Sequence, residues 1–338
     1  MTFQVTIKPS NHQYPSHDHE TILESALREG FSLPYGCRNG TCGGCKGKIL
    51  QGQVDYGKYQ DHALSENEKL AGMALFCTAI PLSDVVIECR EVGAARDIPI
   101  KTMPCRVQTM EKVSHDVMVL KLKLPANERL QFLAGQYIDI LLKDGNRRSY
   151  SLANAPHDDA FLQLHVRHIP GGVFTGNVFN AMQEKAILRF EGPHGSFFLR
   201  EESDKPIIFV VGGTGFAPVK GMIEHALQAQ SKREMVLYWG ARSLRDLYMA
   251  DLPRQWQQAH ANFSFIPVLS EPLAEDNWTG RTGLVHQAVL DDCTDLSSFH
   301  VYACGAPKMV DAARQDFAAR GLPQDAFFAD AFTFSTGV

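Results

Sequence analysis

The chain has 338 residues, with hydrophobic residues at 44%, charged residues at 21% and aromatics at 9%, a size and composition that imply two or three globular domains and exclude a disordered or collagen-like chain. Its 33 Lys and Arg against 38 Asp and Glu leave a net charge of −5 with no basic run, so no nucleic-acid partner and no anionic-membrane partner is expected. The most apolar charge-free run, residues 206–219, is broken by glycines and falls short of the roughly 20 residues that a membrane helix needs.

The amino terminus, MTFQVTIKPS, alternates like a strand and shows neither a basic leader nor an apolar block, so a cytoplasmic address is expected. Thr21-Ile-Leu-Glu24 forms a capping box ahead of an apolar-periodic helix that stops at Gly30. A glycine-rich cysteine loop follows, residues 85–89 read as a closing strand, and residues 93–101 read as a linker. From 102 to 202 the pattern is β-rich, with residues 117–124 and 161–168 largely alternating apolar with polar, as in a small antiparallel barrel. From 203 to 338 strands at 207–211, 235–239, 263–269 and 299–304 alternate with helical segments, the signature of a parallel α/β sheet.

Eight cysteines are too few for a disulfide framework, and three of them fall within nine positions. Cys37-x4-Cys42-x2-Cys45, with Cys77 further on, has the spacing of plant-type [2Fe-2S] ligation, in which four thiolates hold two irons. Gly36, Gly40, Gly43 and Gly44 between the thiols let the backbone wrap tightly and aim N–H groups at anionic sulfur. A zinc site or reduced core cysteines would be the alternatives. The loop GCRNGTCGGC resembles the plant-type ferredoxin family over the first 92 residues, which implies a β-grasp (α+β) domain with Cys37, Cys42, Cys45 and Cys77 as metal ligands.

Arg148-Ser149-Tyr150-Ser151 places a cation, a flat aromatic and hydroxyls on one probable strand. Gly171-Gly172-Val173-Phe174-Thr175 precedes a short helix whose free N–H groups suit a phosphate, and residues 192–197, GPHGSF, read as a loop closing the barrel. Together and in this order the three motifs resemble the FAD domain of the ferredoxin-NADP reductase superfamily. The resemblance implies that Tyr150 stacks on the flavin, Ser151 sits at its reactive edge, and Arg148 neutralises its pyrophosphate. It also implies that Ser149 and residues 171–175, notably Gly171, Gly172, Val173 and Thr175, line the cofactor, and that His165, Val166 and Arg167 lie beside it.

The strand at 207–211 runs into Gly212-Gly213-Thr214-Gly215-Phe216-Ala217-Pro218 and then a helix, a glycine loop that brings phosphate to N–H groups at a positive helix end. The third glycine of the standard dinucleotide fingerprint falls on Pro218, which disfavours a Rossmann dehydrogenase. Gly240, Ala241 and Arg242, and Cys304, Gly305 and Met309, end two further predicted strands, where ligands bind in open α/β sheets. Both motifs resemble the NAD(P) domain of the same superfamily, which implies that Cys304 faces the nicotinamide. The terminal Asp330-Ala331-Phe332-Thr333-Phe334 resembles the family's acidic-x-aromatic element, with Phe332 covering the flavin and Asp330 in the acidic place. Arg242 and Arg245 suit a 2′-phosphate and Asp246 opposes one, so NADH is expected, with NADPH possible.

The resemblance now spans the chain, in the order found in single-component reductases serving oxygenases and deoxysugar enzymes. The cysteine-loop context is most similar to the CDP-deoxy-glucoseen reductases. It implies electron transfer from NADH through FAD and the cluster to a redox partner protein, a dehydratase or an oxygenase component. The alternatives are a self-sufficient reductase of flavin, ferric iron or quinone, and a redox-sensing binding module.

Overall fold

The computed structural model describes residues 2–93 and 97–333. Ala94, Ala95 and Arg96 of the expected linker, and Phe334 of the terminal element, lie outside the described residues. The chain divides into two compact units: Met1–Pro99 with Gly195–Phe197 and Asp330–Val338, and Ile100–His194 with Phe198–Ala329. Among the described residues no helix is long and apolar enough to cross a membrane.

The first unit contains β1 (Thr2–Lys8), β2 (Gln13–His17), α1 (Ile22–Arg28), β3 (Lys46–Gln51), β4 (Val54–Asp55), α2 (Glu66–Leu70), β5 (Met73–Leu75), β6 (Ile80–Pro81) and β7 (Val85–Glu88). Five strands form a mixed sheet in the order β2-β1-β7-β3-β5, in which β1 runs parallel to β7 and the other neighbours are antiparallel. Alternation along β1 sends Val5 and Ile7 into the core, where they join Ile22, Leu23 and Ala26 of α1. One helix laid on a mixed sheet is the expected β-grasp arrangement. The capping box at Thr21 and Glu24 is present and fixes where α1 begins.

In the second unit β8 (Lys101–Lys112), β9 (Val117–Lys123), β10 (Tyr137–Leu141), β11 (Arg147–Ser151), β12 (Leu162–Arg167) and β13 (Ile187–His194) pair antiparallel in the order β11-β10-β13-β8-β9-β12. A bridge from Leu152 to Leu164 joins the two edges, closing a barrel around Ile138, Ile140, Leu120, Leu164 and Phe190. Residues 192–194 belong to β13, where a closing loop was expected. A register shift opposite Tyr137–Asp139 lets the strand absorb Pro193, which has no N–H to offer the ladder. A helix, α3 (Val173–Asn180), follows β12.

The same unit carries β14 (Ile207–Gly212), α4 (Phe216–Gln228), β15 (Met235–Ala241), α5 (Asp251–Ala259), β16 (Phe263–Leu269), β17 (Arg281–Thr282), α6 (Val285–Asp292), β18 (His300–Gly305) and α7 (Pro307–Ala319), and β19 (Phe327–Ala331) has its first three residues in this unit and its last two in the first. The order is β17-β16-β15-β14-β18-β19, with β14 to β18 parallel to their neighbours. The chain leaves β14 toward β15 and later returns to β18 on the opposite side. Successive loops therefore diverge at the carboxyl ends of β14 and β18, where such sheets bind ligands.

Thr21→Ala removes the hydroxyl that caps α1 and should lower the stability of the first unit by about 1 kcal/mol, with Thr21→Ser restoring it. The far-UV urea transition reads this loss. Tryptophan fluorescence should not move, because Trp239, Trp256 and Trp278 all belong to the second unit.

Candidate cofactor-binding sites

The loop between α1 and β3 carries three of the four predicted thiols, with Cys37 and Cys42 half-buried and Cys45 and Cys77 buried. Arg38, Gly40 and Gly43 adopt φ of 60°, 76° and 71°, which turns successive N–H groups inward. Gly40 has no alternative there, since a Cβ would stand 2.6 Å from the Lys58 carbonyl oxygen. The N–H groups of Cys37 and Gly44 donate to Cys42 Sγ at 3.3 and 3.4 Å, and the N–H of Cys42 donates to Cys37 Sγ at 3.3 Å. A hydrogen bond from Cys42, then one from Thr41 and others from backbone N–H groups, hold the Cys37 thiol down at about 5. Cys45 likewise lowers Cys77, while Cys42 and Cys45 are pushed up by their partners and by burial.

The thiols thus form two pairs, Cys37 with Cys42 and Cys45 with Cys77. Among the described residues no three cysteine sulfurs lie within 4.8 Å of one another. A single zinc would draw all four to roughly 3.8 Å of one another, given bonds of about 2.3 Å in a tetrahedron. Two pairs fit two irons, each held by two thiolates.

Two distant segments complete this unit. The Tyr35 N–H donates to Ser196 Oγ at 2.9 Å, and the Ser196 N–H and hydroxyl both donate to the Tyr35 carbonyl at 3.0 Å. Asp330 is placed against the cysteine loop, its Oδ1 3.9 Å from where a Cβ on Gly36 would stand. Burial, and secondarily Cys37, push its carboxyl up to about 7. Phe332 lies half-buried in the same segment, and Thr333 Oγ1 is 2.9 Å from Thr41 Oγ1.

In the barrel, Tyr150 is half-buried with its ring tilted 46° against Phe174 at 5.3 Å, and burial drives its phenol above the usual range. Ser151 is buried, Ser149 Oγ donates to Asp139 Oδ1 at 2.6 Å, and Arg148 Nη1 donates to the Arg147 carbonyl at 2.8 Å. Gly171 turns the chain with φ of 76°, and Gly172 starts α3 with no side-chain cap, leaving the first N–H groups open to an anion. Val173 is exposed, and Thr175 Oγ1 is engaged with both backbone groups of Ile169 at 3.2 Å, so the N–H is what Thr175 has to offer. Val166 packs in the barrel core. His165 is buried, with Nδ1 2.8 Å from the Tyr248 hydroxyl, while its Nε2 has no partner. Desolvation, then Lys220, pulls its pKa to about 3, so the imidazole is neutral. An uncapped helix start and an orphaned buried nitrogen fit a bound cofactor.

At the end of β14, Gly213, Thr214 and Gly215 form a tight turn into α4 without a side-chain cap. Trp239 Nε1 donates to the Gly213 carbonyl at 3.1 Å and stacks on Phe216 at 4.0 Å. The Arg167 guanidinium, 3.0 Å from Asp116, lies beside Gly213, its Nη1 2.7 Å from where a Cβ would stand. Gly215 packs on β18 so closely that a Cβ would meet the Cys304 carbonyl oxygen at 2.1 Å. Cys304 is fully buried, and Met309 Sδ and Cε cover Gly212 and Gly305. Gly240 is a packing position, its missing Cβ replaced by Val285. Asp246 is buried in a capping box with Ser243, so its carboxylate is taken up locally, whereas Arg242 and Arg245 are exposed and have no ion-pair partner among the described residues. Open N–H donors beside a guanidinium fit a diphosphate.

The sequence motifs give no role to Trp239, Asp139, Ser196 or Thr333. Trp239 had a signal, because it precedes a glycine at a strand end. Ser196 and Thr333 act across 161 and 292 residues, which local pattern does not reveal.

Gly215→Ala forces the turn away from β18 and should weaken NAD+ binding at least tenfold, as measured by isothermal titration. An unchanged affinity would show that the turn does not hold the nucleotide.

Family models match in three places: a 2Fe-2S iron-sulfur cluster binding domain over residues 5–82, an oxidoreductase FAD-binding domain over 104–199 and an oxidoreductase NAD-binding domain over 209–315. The CDP-6-deoxy-L-threo-D-glycero-4-hexulose-3-dehydrase reductase of Yersinia pseudotuberculosis is 41% identical over 332 residues, covering 98% of this chain and 99% of that protein. The xylene/toluene monooxygenase electron transfer component XylA of Pseudomonas putida is 34% identical over 333 residues, covering 97% and 93%. Among solved structures, the Amycolatopsis reductase GcoB aligns over 99% of this chain and 100% of that one, with a TM-score of 0.80 and 32% identity. The chain belongs to the family of NAD-binding oxidoreductases that combine FAD and [2Fe-2S] domains and act as reductases in dehydratase and oxygenase electron-transfer systems.

Proposed function

We propose that this chain takes electrons from NADH and delivers them, one at a time, to a separate dehydrase acting on a CDP-linked 6-deoxyhexulose. The observation that carries this reading is the 41% identity to the Yersinia dehydrase reductase along nearly the full length of both chains, against 34% for the monooxygenase component. When bound, FAD accepts the two electrons of a nicotinamide hydride and releases them singly to the cluster.

The residues then divide the work as follows. Cys37, Cys42, Cys45 and Cys77 hold the irons, and the inward N–H groups of their loop offset the charge on sulfur. Tyr150 stacks on the flavin ring and Ser151 stands at its edge. Arg148, Ser149 and the start of α3, from Gly171 to Thr175, hold its diphosphate, and His165 contributes its unpartnered nitrogen. Gly213, Thr214 and Gly215 receive the nucleotide diphosphate, with Arg242, Gly305 and Met309 completing that site. Cys304 lies under the nicotinamide, and Phe332 shields the flavin until nicotinamide arrives. Arg242 and Arg245 would attract a 2′-phosphate, while the Asp246 carboxylate between Ser243 and Leu247 and the Asp276 carboxylate on the Leu244 N–H oppose one, so NADH is the donor and NADPH a slower second. A cytoplasmic setting supplies both nucleotides reduced. The domain limits follow the motifs: 1–92, 102–202 and 203–338, joined at 93–101.

Anaerobic NADH oxidation tests the partner. The dehydrase with its CDP-hexulose substrate should accelerate it severalfold, and a monooxygenase or dioxygenase component should not. Acceleration by the oxygenase alone would transfer the chain to that system.

Two substitutions test the order of transfer. Cys77→Ser should abolish visible cluster absorption and cytochrome reduction while leaving NADH-driven ferricyanide reduction intact. Equal loss of both would contradict a relay that ends at the cluster. Tyr150→Ala should release most of the FAD during gel filtration, read as the ratio of flavin to protein absorbance.

A further inference from the structure

One hydroxyl in the cysteine loop has more neighbours than protons. Thr41 Oγ1 lies 3.4 Å from Cys37 Sγ, 2.9 Å from Thr333 Oγ1 and 2.5 Å from Asn39 Oδ1. A threonine hydroxyl donates once and accepts twice. With Cys37 ionised to hold iron, sulfur is the charged acceptor, and charge-assisted hydrogen bonds are about twice as strong as neutral ones. The Thr41 proton therefore goes to Cys37 Sγ. The Thr333 contact then has one arrangement left, in which the Thr333 hydroxyl donates to Thr41 Oγ1. A half-turn of the Asn39 amide offers an N–H to the remaining lone pair of Thr41.

We propose that Thr333, 292 residues beyond Thr41, is a positioning residue for the iron–sulfur centre: it donates to Thr41, which donates to Cys37 Sγ. Two hydroxyls in series set how much electron density this thiolate gives its iron. A hydrogen bond to a ligating sulfur draws density from the cluster and favours its reduced state, and a donor that is itself an acceptor is strengthened by polarisation. The role rests on Cys37 being an iron ligand, as proposed above.

The test is an anaerobic redox titration of the full-length holoprotein, with the reduced cluster followed by electron paramagnetic resonance. Thr41→Val should shift the midpoint potential to more negative values. Thr333→Val, which keeps the side-chain shape and loses the hydroxyl, should shift it in the same direction by less. Thr41→Ser and Thr333→Ser should return wild-type midpoints, and the Thr41→Val/Thr333→Val double variant should match Thr41→Val alone. A Thr333→Val midpoint equal to wild type, or a further shift when it is added to Thr41→Val, overturns the relay. Where Thr41→Val does not retain iron, Thr333→Val against wild type and Thr333→Ser decides the question. Solvent deuteration offers a second readout: it should move the iron–thiolate resonance Raman bands of wild type, and less so those of Thr333→Val. Wild-type protein that shows no resonance of a reduced two-iron centre overturns the ligand assignment itself.

Discussion

The iron–sulfur cluster, FAD and NAD are all anionic, the chain's own net charge is −5, and each of the three proposed sites offers such a group backbone N–H donors. In the cysteine loop those groups are aimed at sulfur by residues in the left-handed region. At the start of α3 and in the turn after β14 they are left open because no side chain caps the helix. A backbone donor is useful here only if it cannot rotate away, and the surrounding contacts see to that. Ser196 fixes both backbone groups of Tyr35 just ahead of the cysteine loop, and Trp239 and Arg167 pin Gly213. The large side chains around each site therefore act chiefly on the backbone.

The parallel sheet shows how topology serves the same end. Because β14 lies at the point where the chain reverses its direction of travel across the sheet, the turns after β14 and β18 leave it in opposite directions, which is where such sheets bind ligands. Gly215 packs the first of these turns against the Cys304 carbonyl, and the methionine at 309 lies over Gly212 and Gly305. The barrel contributes Arg167 from the end of β12, so the surroundings of Gly213 draw on both parts of the second unit.

Much of this was legible in the sequence, for reasons that can be named. Period-two alternation located β9 and β12 to within a residue, and the capping box marked the start of α1. Cysteine spacing picked out the four thiols but not their division into pairs, which depends on where Cys77 is brought by β5. The GPHG run was misread as loop because glycine and proline punctuate most chains; here a bulge in β13 accommodates both. Asp246 was weighed for its charge alone although Ser243 stands three residues ahead of it, a spacing that signals the cap it also forms. Tyr35 with Ser196, and Thr41 with Thr333, leave no local trace at all, since their partners meet only once the chain has folded.

The complete enclosure of Cys304 also bears on durability. Oxidation and alkylation proceed through a thiolate that solvent can reach. Cys89 and Cys293 are the half-exposed thiols outside the cysteine loop, and both are poor nucleophiles because burial raises them. Slow as they are, those two thiols are the ones a reagent in solution can reach, whereas Cys304, proposed above to lie under the nicotinamide, is enclosed while the chain stays folded. An aged preparation would then lose free thiol titre well before it loses its reaction with pyridine nucleotide.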